Sequence, residues 1–284
     1  MQKIAIITDT CAGLPAALAK ESGIFLLPLI IRVGETEYRA DVDITSADIY
    51  RILKTETPRT SLPCANEVMD LLDSLAAQGY THAIAIMLSS GLSGTYNLLR
   101  LMEGQVDGLE LKVWDSLSGS IGCGITALNA ADAVKAGKHF DEINAAIPAW
   151  LEHSHVFFSV DTLEYLQKGG RIGKVTALAG TALQIKPILS FASDGQLSSV
   201  AKVRGKRSVQ AKLCELVGQY VTNGCRYNLL VADGGDPEGR AQLQASLEKM
   251  FPNYERCVCV NIDATLSCYI GPGVLGAGIQ ILNA

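Results

Sequence analysis

The chain has 284 residues, 48% of them hydrophobic but only 6% aromatic, and a formal net charge of -5. That length suits one large or two medium α/β domains, and the aliphatic bias suits the cores that parallel sheets build, which excludes a disordered chain. Negative charge without long single-sign runs excludes nucleic acid as the main partner, because phosphate binding needs clustered Lys and Arg.

The first apolar run, Ile4 to Ile7, ends at Thr8-Asp9 and is too short for a signal-peptide core, so a cytoplasmic location is expected. The next, Phe25 to Val33, reads as a strand. Its most apolar part, Phe25 to Ile31, contains Pro28 and falls far below the roughly 18 residues of a membrane helix, so stable membrane insertion is not expected. Further short aliphatic runs follow at His82 to Leu88, Leu111 to Trp114, Val156 to Val160, Tyr227 to Ala232, Cys257 to Ile262 and Gly278 to Leu282. Helix-length amphipathic stretches separate them, and this alternation implies an α/β fold with a largely parallel sheet.

The character of the chain changes near residue 155, which divides an N-terminal α/β domain (1–155) from a second α/β domain (156–284). Before the division, three strands end in small polar residues: Thr8-Asp9-Thr10, Ser89-Ser90-Gly91 and Asp115-Ser116. The carboxyl ends of strands border the ligand crevice in open α/β sheets, so these ends point to a shared site.

The segment Ser89-Ser90-Gly91-Leu92-Ser93-Gly94-Thr95-Tyr96 places four hydroxyls and two glycines where a strand hands over to a helix. It reads either as an anion cradle or as ordinary helix capping. It contains no lysine, so it is not a nucleotide P-loop, and Gly91-Leu92-Ser93-Gly94 is one residue short of a nucleophile elbow. The four histidines (82, 139, 153, 155) lie beside no hydroxyl loop, which leaves no catalytic set. Eight scattered cysteines, with no C-x-x-C pair, read as reduced and mostly buried thiols, and neither metal nor cofactor is expected. Gly271-Pro272-Gly273-Val274-Leu275-Gly276 matches a dinucleotide fingerprint, but eight following residues leave no room for a βαβ unit, so it reads as a tight turn. The basic residues Lys168, Arg171, Lys174, Lys202, Arg204, Lys206 and Arg207 form either a solvated face or a local docking patch. Asp9 and Asp115 read as caps that order their loops.

Taken together, these segments resemble the DegV family of fatty-acid-binding proteins over about Ile4 to Ile279. The resemblance rests on Ile7-Thr8-Asp9-Thr10 with Leu14-Pro15, Thr60-Ser61-Leu62-Pro63, Ser90 to Thr95, Asp115-Ser116, Asp161 to Leu166, Gly169-Gly170-Arg171-Ile172, Ile185 to Ile188, Val203-Arg204-Gly205 and Gly271-Pro272-Gly273. It implies a two-domain DegV-like fold with a long-chain fatty acid between the lobes and its carboxylate on Thr60, Ser61 and Ser93. Gly94, Thr95, Tyr269 and Gly271 complete the implied binding site, and Arg171 and Arg204 are implied near the head group or at a partner surface. The implied role is a non-catalytic one in phospholipid metabolism, presenting the lipid to a separate fatty acid kinase. Tyr269 departs from the family pattern, where histidine is common two residues before Gly-Pro-Gly. A phenol donates a hydrogen bond but carries no positive charge. Leu62 and Cys64 also replace more polar residues.

At roughly 0.8 kcal/mol per buried methylene, a tail of about 15 methylenes offers on the order of 12 kcal/mol before ordering costs. Hydrogen bonds to the carboxylate add about 1.5 to 3 kcal/mol each and fix orientation. The alternatives to a lipid carrier are a small-molecule kinase or phosphocarrier subunit reacting through Asp9 or a loop serine, and a regulator that binds macromolecules through its basic cluster.

Overall fold

The computed structural model describes residues 2–178 and 185–282. Thirteen strands form among them: β1 (Ile4–Asp9), β2 (Ile24–Leu27), β3 (Ile30–Val33), β4 (Thr36–Arg39), β5 (Arg59–Ser61), β6 (His82–Met87), β7 (Glu110–Asp115), β8 (Ser154–Ser159), β9 (Ile185–Phe191), β10 (Leu197–Arg204), β11 (Tyr227–Gly234), β12 (Cys257–Asn261) and β13 (Val274–Ile281). The helices are α1 (Ala16–Ser22), α2 (Ser46–Ile52), α3 (Ala65–Ala77), α4 (Thr95–Arg100), α5 (Ile121–Lys135), α6 (Phe140–Glu152), α7 (Glu164–Lys168), α8 (Lys206–Gly218), α9 (Pro237–Met250) and α10 (Ala264–Ile270). None of them is long and apolar enough to cross a membrane.

Four strands form a parallel sheet in the order β2-β1-β6-β7, with Ile6 opposite Ile24 and Ile84, and His82 opposite Glu110. A six-stranded sheet runs β10-β9-β8-β13-β11-β12, and a small antiparallel one runs β4-β3-β5. The expectation of a largely parallel architecture therefore holds for the first sheet only. In the second, β11 and β12 are parallel and every other neighbouring pair is antiparallel.

Two strand assignments change for local reasons. Phe25 to Val33 is not one strand but β2 and β3, in different sheets, because Pro28 has no N–H to give to a ladder. Leu29 turns out of the first sheet and donates its N–H to Thr10 Oγ1 at 3.3 Å. At the other end of the chain the C-terminal strand starts at Val274 rather than Gly278 and runs through the glycine-rich stretch. A Cβ at Gly278 would lie 2.7 Å from the carbonyl oxygen of His155 on the neighbouring strand, so the glycine permits the close pairing.

Helix α5 joins the two larger sheets. Every residue from Ile121 to Ala131 is buried, the signature of a helix enclosed on all sides. Its side chains share one core with Ile6 and Ile84 of the parallel sheet and with Leu230 and Val260 of the second. A Cβ at Gly124 would lie 2.3 Å from the carbonyl oxygen of Ala12, so a larger residue would push the helix off the β1 turn. One polar knot sits in this interior. Asn129 Nδ2 and Asn228 Nδ2 donate to Gln280 Oε1 at 2.8 and 3.1 Å, and Gln280 Nε2 donates to Ser154 Oγ at 3.0 Å. These buried amide bonds fix the angle between helix and sheet, although Asn228 Oδ1 is left without a hydrogen-bond partner.

Candidate functional site

Between the strand ends of the parallel sheet and one face of the six-stranded sheet lies a cavity of about 90 Å³. Val156, Phe157 and Phe158 of β8, Leu230 and Ala232 of β11, and Val274, Gly276 and Ala277 of β13 line one side. Leu88, Leu92 and the segment Gly119 to Ile121 line the opposite side. Leu29, Phe191, Leu197, Ile262, Leu266 and Ile270 close the flanks. Among the described residues, only Thr60, Ser93, Ser120, Arg171, Thr265 and Tyr269 bring polar side chains to this otherwise apolar wall.

Thr60 and Tyr269 are 209 residues apart in sequence and hydrogen-bonded to each other through their hydroxyls. Tyr269 packs on Gly169, where a Cβ would lie 2.3 Å from the ring. Arg171 stacks over the opposite side of this cluster, 5.1 Å from the Tyr269 ring centroid, and donates from Nη1 to Gly169 O at 2.8 Å and from Nε to Leu92 O at 3.3 Å. The guanidinium is thus positioned by two carbonyls and an aromatic face rather than by a carboxylate. Ser93 Oγ hydrogen-bonds Thr95 Oγ1 at 2.9 Å and accepts the Thr95 N–H at 3.3 Å.

The structure separates the nine expected site residues. Thr60, Ser93, Arg171 and Tyr269 line the cavity. Ser61 does not, because successive residues of β5 alternate faces and Thr60 occupies the inward position. Gly94 and Thr95 also lie behind the wall, where Thr95, fully buried, orients Ser93. Gly271 seats the ring of Tyr165, which a Cβ would approach to 2.4 Å, and adopts φ 66. Arg204 is exposed at the end of β10, opposite Ile185, and is not part of the lining.

Most of the strand-end hydroxyls are committed to the protein's own backbone. Ser89 Oγ donates to Gly195 O at 2.8 Å and accepts from Gly91 N at 3.1 Å. Asp9 accepts the N–H groups of Cys11 and Leu88 at 2.9 and 2.8 Å, and Asp115 accepts those of Ser90 and Leu117 at 3.1 and 2.9 Å. These carboxylates are loop clasps, as their sequence positions suggest, and full burial pushes the Asp9 carboxyl up to about 6. In the basic cluster, Lys168 pairs with Glu164 at 2.6 Å and Lys174 with Asp194 at 2.8 Å, as on a solvated face. The side chain of Lys206 lies outside the described ones. The thiols are less uniform than expected: Cys11, Cys123, Cys214 and Cys268 are buried, Cys64 is exposed and the rest are intermediate, all of them free.

Sequence reading missed Ser120 and Thr265 as cavity residues. Thr265 carried a signal, since Thr265, Leu266, Tyr269 and Ile270 recur at one-turn spacing and mark a single face of α10. Ser120 carried none. Its exposure to the cavity follows from a left-handed backbone at φ 50, which its residue type does not announce.

A family model of the DegV family, described as uncharacterised proteins, matches residues 3–281. The chain belongs to the DegV family. A DegV domain-containing protein of Clostridium perfringens is 36% identical over 280 residues, covering 99% of each chain. Among solved structures, a DegV family protein from Thermus thermophilus, described by its fatty acid binding, superposes with a TM-score of 0.93 at 25% identity, covering 99% of this chain and all of that one. DegV from Bacillus subtilis, a fatty acid binding protein, superposes with a TM-score of 0.90 at 27% identity over 99% of this chain and 100% of its own. The mixed α/β architecture is thus that of the DegV family.

Proposed function

We propose that this protein binds a long-chain fatty acid in the cavity between its sheets, with the carboxylate at the Thr60, Ser93, Tyr269 and Arg171 end. The observation that carries the reading is the asymmetry of the wall: chiefly aliphatic and aromatic side chains, with two hydroxyls, a phenol and a guanidinium grouped at one end and Ser120 and Thr265 as the other polar residues among those described. Apolar wall supplies the affinity, because each methylene removed from water contributes roughly 0.8 kcal/mol. The polar end supplies direction, since a carboxylate left without donors in such a cavity costs several kcal/mol. The fatty acid binding of the Thermus thermophilus and Bacillus subtilis relatives supports the same reading.

Tyr269 acts here as a neutral donor, and Arg171 supplies the positive charge. A carboxylate at this end is held for presentation rather than chemistry. Asp9 is occupied by backbone N–H groups, and no nucleophile and base pair lines the cavity among the described residues. A separate fatty acid kinase that phosphorylates the presented carboxylate fits this arrangement, with the protein as its non-catalytic lipid-binding partner. Incubation with radiolabelled ATP and an oleic acid load tests it. The protein alone is expected to stay unlabelled and to consume no ATP, and to yield labelled acyl phosphate only when a kinase fraction is added. Self-labelling on Asp9 or a serine favours the phosphocarrier reading instead.

Native mass spectrometry of the purified protein tests lipid binding itself. The expected result is a mass increment equal to one fatty acid. A homogeneous empty protein that takes up no added fatty acid overturns the reading.

A further inference from the structure

Strand β12 forms one edge of the six-stranded sheet and carries Cys257-Val258-Cys259. Side chains alternate along a strand, so the two cysteines share a face while Val258 is buried on the other. Two residues of strand advance about 6.6 Å, yet the thiols lean together until Cys257 Sγ and Cys259 Sγ are 3.9 Å apart. Both cysteines are half-buried, unlike the enclosed Cys11, Cys123 and Cys268. Cys259 also lines a cleft of about 430 Å³, bounded by Thr10, Leu14, Val42 and Arg240, which shares only Ile262 with the lining of the lipid cavity.

The groups around the pair make the two sulfurs unequal. The hydrogen bond from Cys257 and the Arg240 guanidinium hold the Cys259 thiol below its usual range. The same hydrogen bond, burial and the Glu248 carboxylate push the Cys257 thiol up. Arg240 is itself anchored on Asp233 at 3.0 Å, which fixes its place beside the strand.

We infer that Cys257 and Cys259 are a redox-active dithiol that exchanges with low-molecular-weight disulfides, Cys259 attacking and Cys257 resolving. The site lies outside the proposed lipid cavity and its chemistry is separate from lipid binding. The Cys259 thiolate attacks one sulfur of a disulfide RSSR, the S–S bond breaks, and the departing thiolate takes up the proton that Cys259 released. Cys257 then gives up its proton and attacks the Cys259 sulfur, which closes the intrachain disulfide and expels the second thiol. Two protein thiols thus lose two electrons, and RSSR becomes two RSH. Disulfides span Cα separations of roughly 4.4 to 6.8 Å, so closure at the strand spacing lies at the upper end and gives a bond of the labile, readily reduced kind.

Incubation of the folded full-length protein with excess oxidised glutathione, followed by acid quench, denaturation, alkylation with iodoacetamide and tryptic mapping, tests it. Cleavage after Arg256 releases residues 257–284, which contain Cys257, Cys259 and Cys268. This peptide is expected to carry one alkyl group, on Cys268, and no glutathione. Dithiothreitol added before alkylation is expected to restore three alkyl groups. Three alkyl groups without reductant, glutathione retained on the native peptide, or a bond that includes Cys268 overturns the inference. Cys257→Ser is expected to stop at glutathione on Cys259, and Cys259→Ser to acquire it on Cys257 roughly tenfold more slowly. Equal rates in the two variants overturn the assignment of Cys259 as the attacking thiol.

Discussion

Removing the Ser93 hydroxyl separates the two contributions to lipid affinity, because the cavity assigns them to different atoms. Ser93 Oγ lies on the wall at the polar end, held by Thr95 Oγ1 and the Thr95 N–H at 2.9 and 3.3 Å. The residues that would cover the tail are Phe158, Leu230, Leu266 and their neighbours. Each methylene removed from a series of saturated acids should cost roughly 0.8 kcal/mol, or about fourfold in affinity. A hydrogen bond to the carboxylate is worth about 1.5 to 3 kcal/mol, so Ser93→Ala should lower affinity for every acid by roughly 10- to 150-fold. Plotted against chain length, the logarithm of affinity should therefore give two parallel lines for native protein and variant. Titrations of C12 to C18 acids measure both slopes. A variant line that coincides with the native one, or one that changes slope without an offset, would refute the assignment of Ser93 to the head group.

Tyr269→Phe keeps the ring beneath Arg171 but removes the hydroxyl bonded to Thr60, so affinity should fall about two- to tenfold with little change in thermal stability. Equilibrium binding and a melting curve on the same sample check both halves. Gly91→Ala would place a Cβ 2.5 to 2.7 Å from the backbone of Gly195 and Gln196, where no side chain can give way, and should destabilise the protein by about 1 to 3 kcal/mol in urea unfolding. Burial lifts the Asp9 carboxyl from 3.8 to about 6, so the folded protein holds that proton more tightly than the unfolded chain. The resulting contribution to stability is fully present below about pH 3.8 and is lost as pH rises through about 6. Asp9→Asn should flatten the stability profile across that window by about 3 kcal/mol, leaving the parts due to Asp41, which burial also raises to about 6, and to the fully buried Asp263, which burial raises well above the usual carboxylate range. Profiles that superimpose between native protein and variant would contradict it.

The parallel sheet was legible because its strands are short aliphatic runs bounded by turn residues, and β1, β6 and β7 fall within a residue or two of the expected positions. The strands that escaped reading have physical reasons to do so. β4 (Thr36–Arg39) is mostly exposed and polar, and β10 carries serines and charged residues on an edge whose apolar content is low. β9 contains Pro187, a residue that argues against a strand unless the pairing spares its missing N–H. Antiparallel pairing in the second sheet was not legible at all, since β13 runs between β11 and β8 and pairs with residues 40 or more positions away on one side and more than 100 on the other.

Within the site, residue types were read more reliably than their directions. Thr60 and Ser61 are adjacent and chemically alike, and only the pleat of β5 decides that the first faces the cavity. The loop Ser89 to Thr95 looked like a single hydroxyl cradle, but Ser89 is spent on Gly195 and Thr95 on Ser93, which leaves Ser93 as the loop hydroxyl that lines the cavity. The Ser89 bond depends on a partner 106 residues away. The family resemblance supplied Arg171 and Tyr269, and their stacking explains why a tyrosine serves at that position beside a cation.

A co-crystal structure with stearic acid is the most direct test of the central claim. It should show the tail between β8, β11 and β13 and the carboxylate within hydrogen-bonding distance of Ser93 and of the Thr60–Tyr269 pair, with Arg171 beside it. A lipid bound with its carboxylate at the opposite end of the cavity, or on the protein's surface with the cavity empty, would contradict the account.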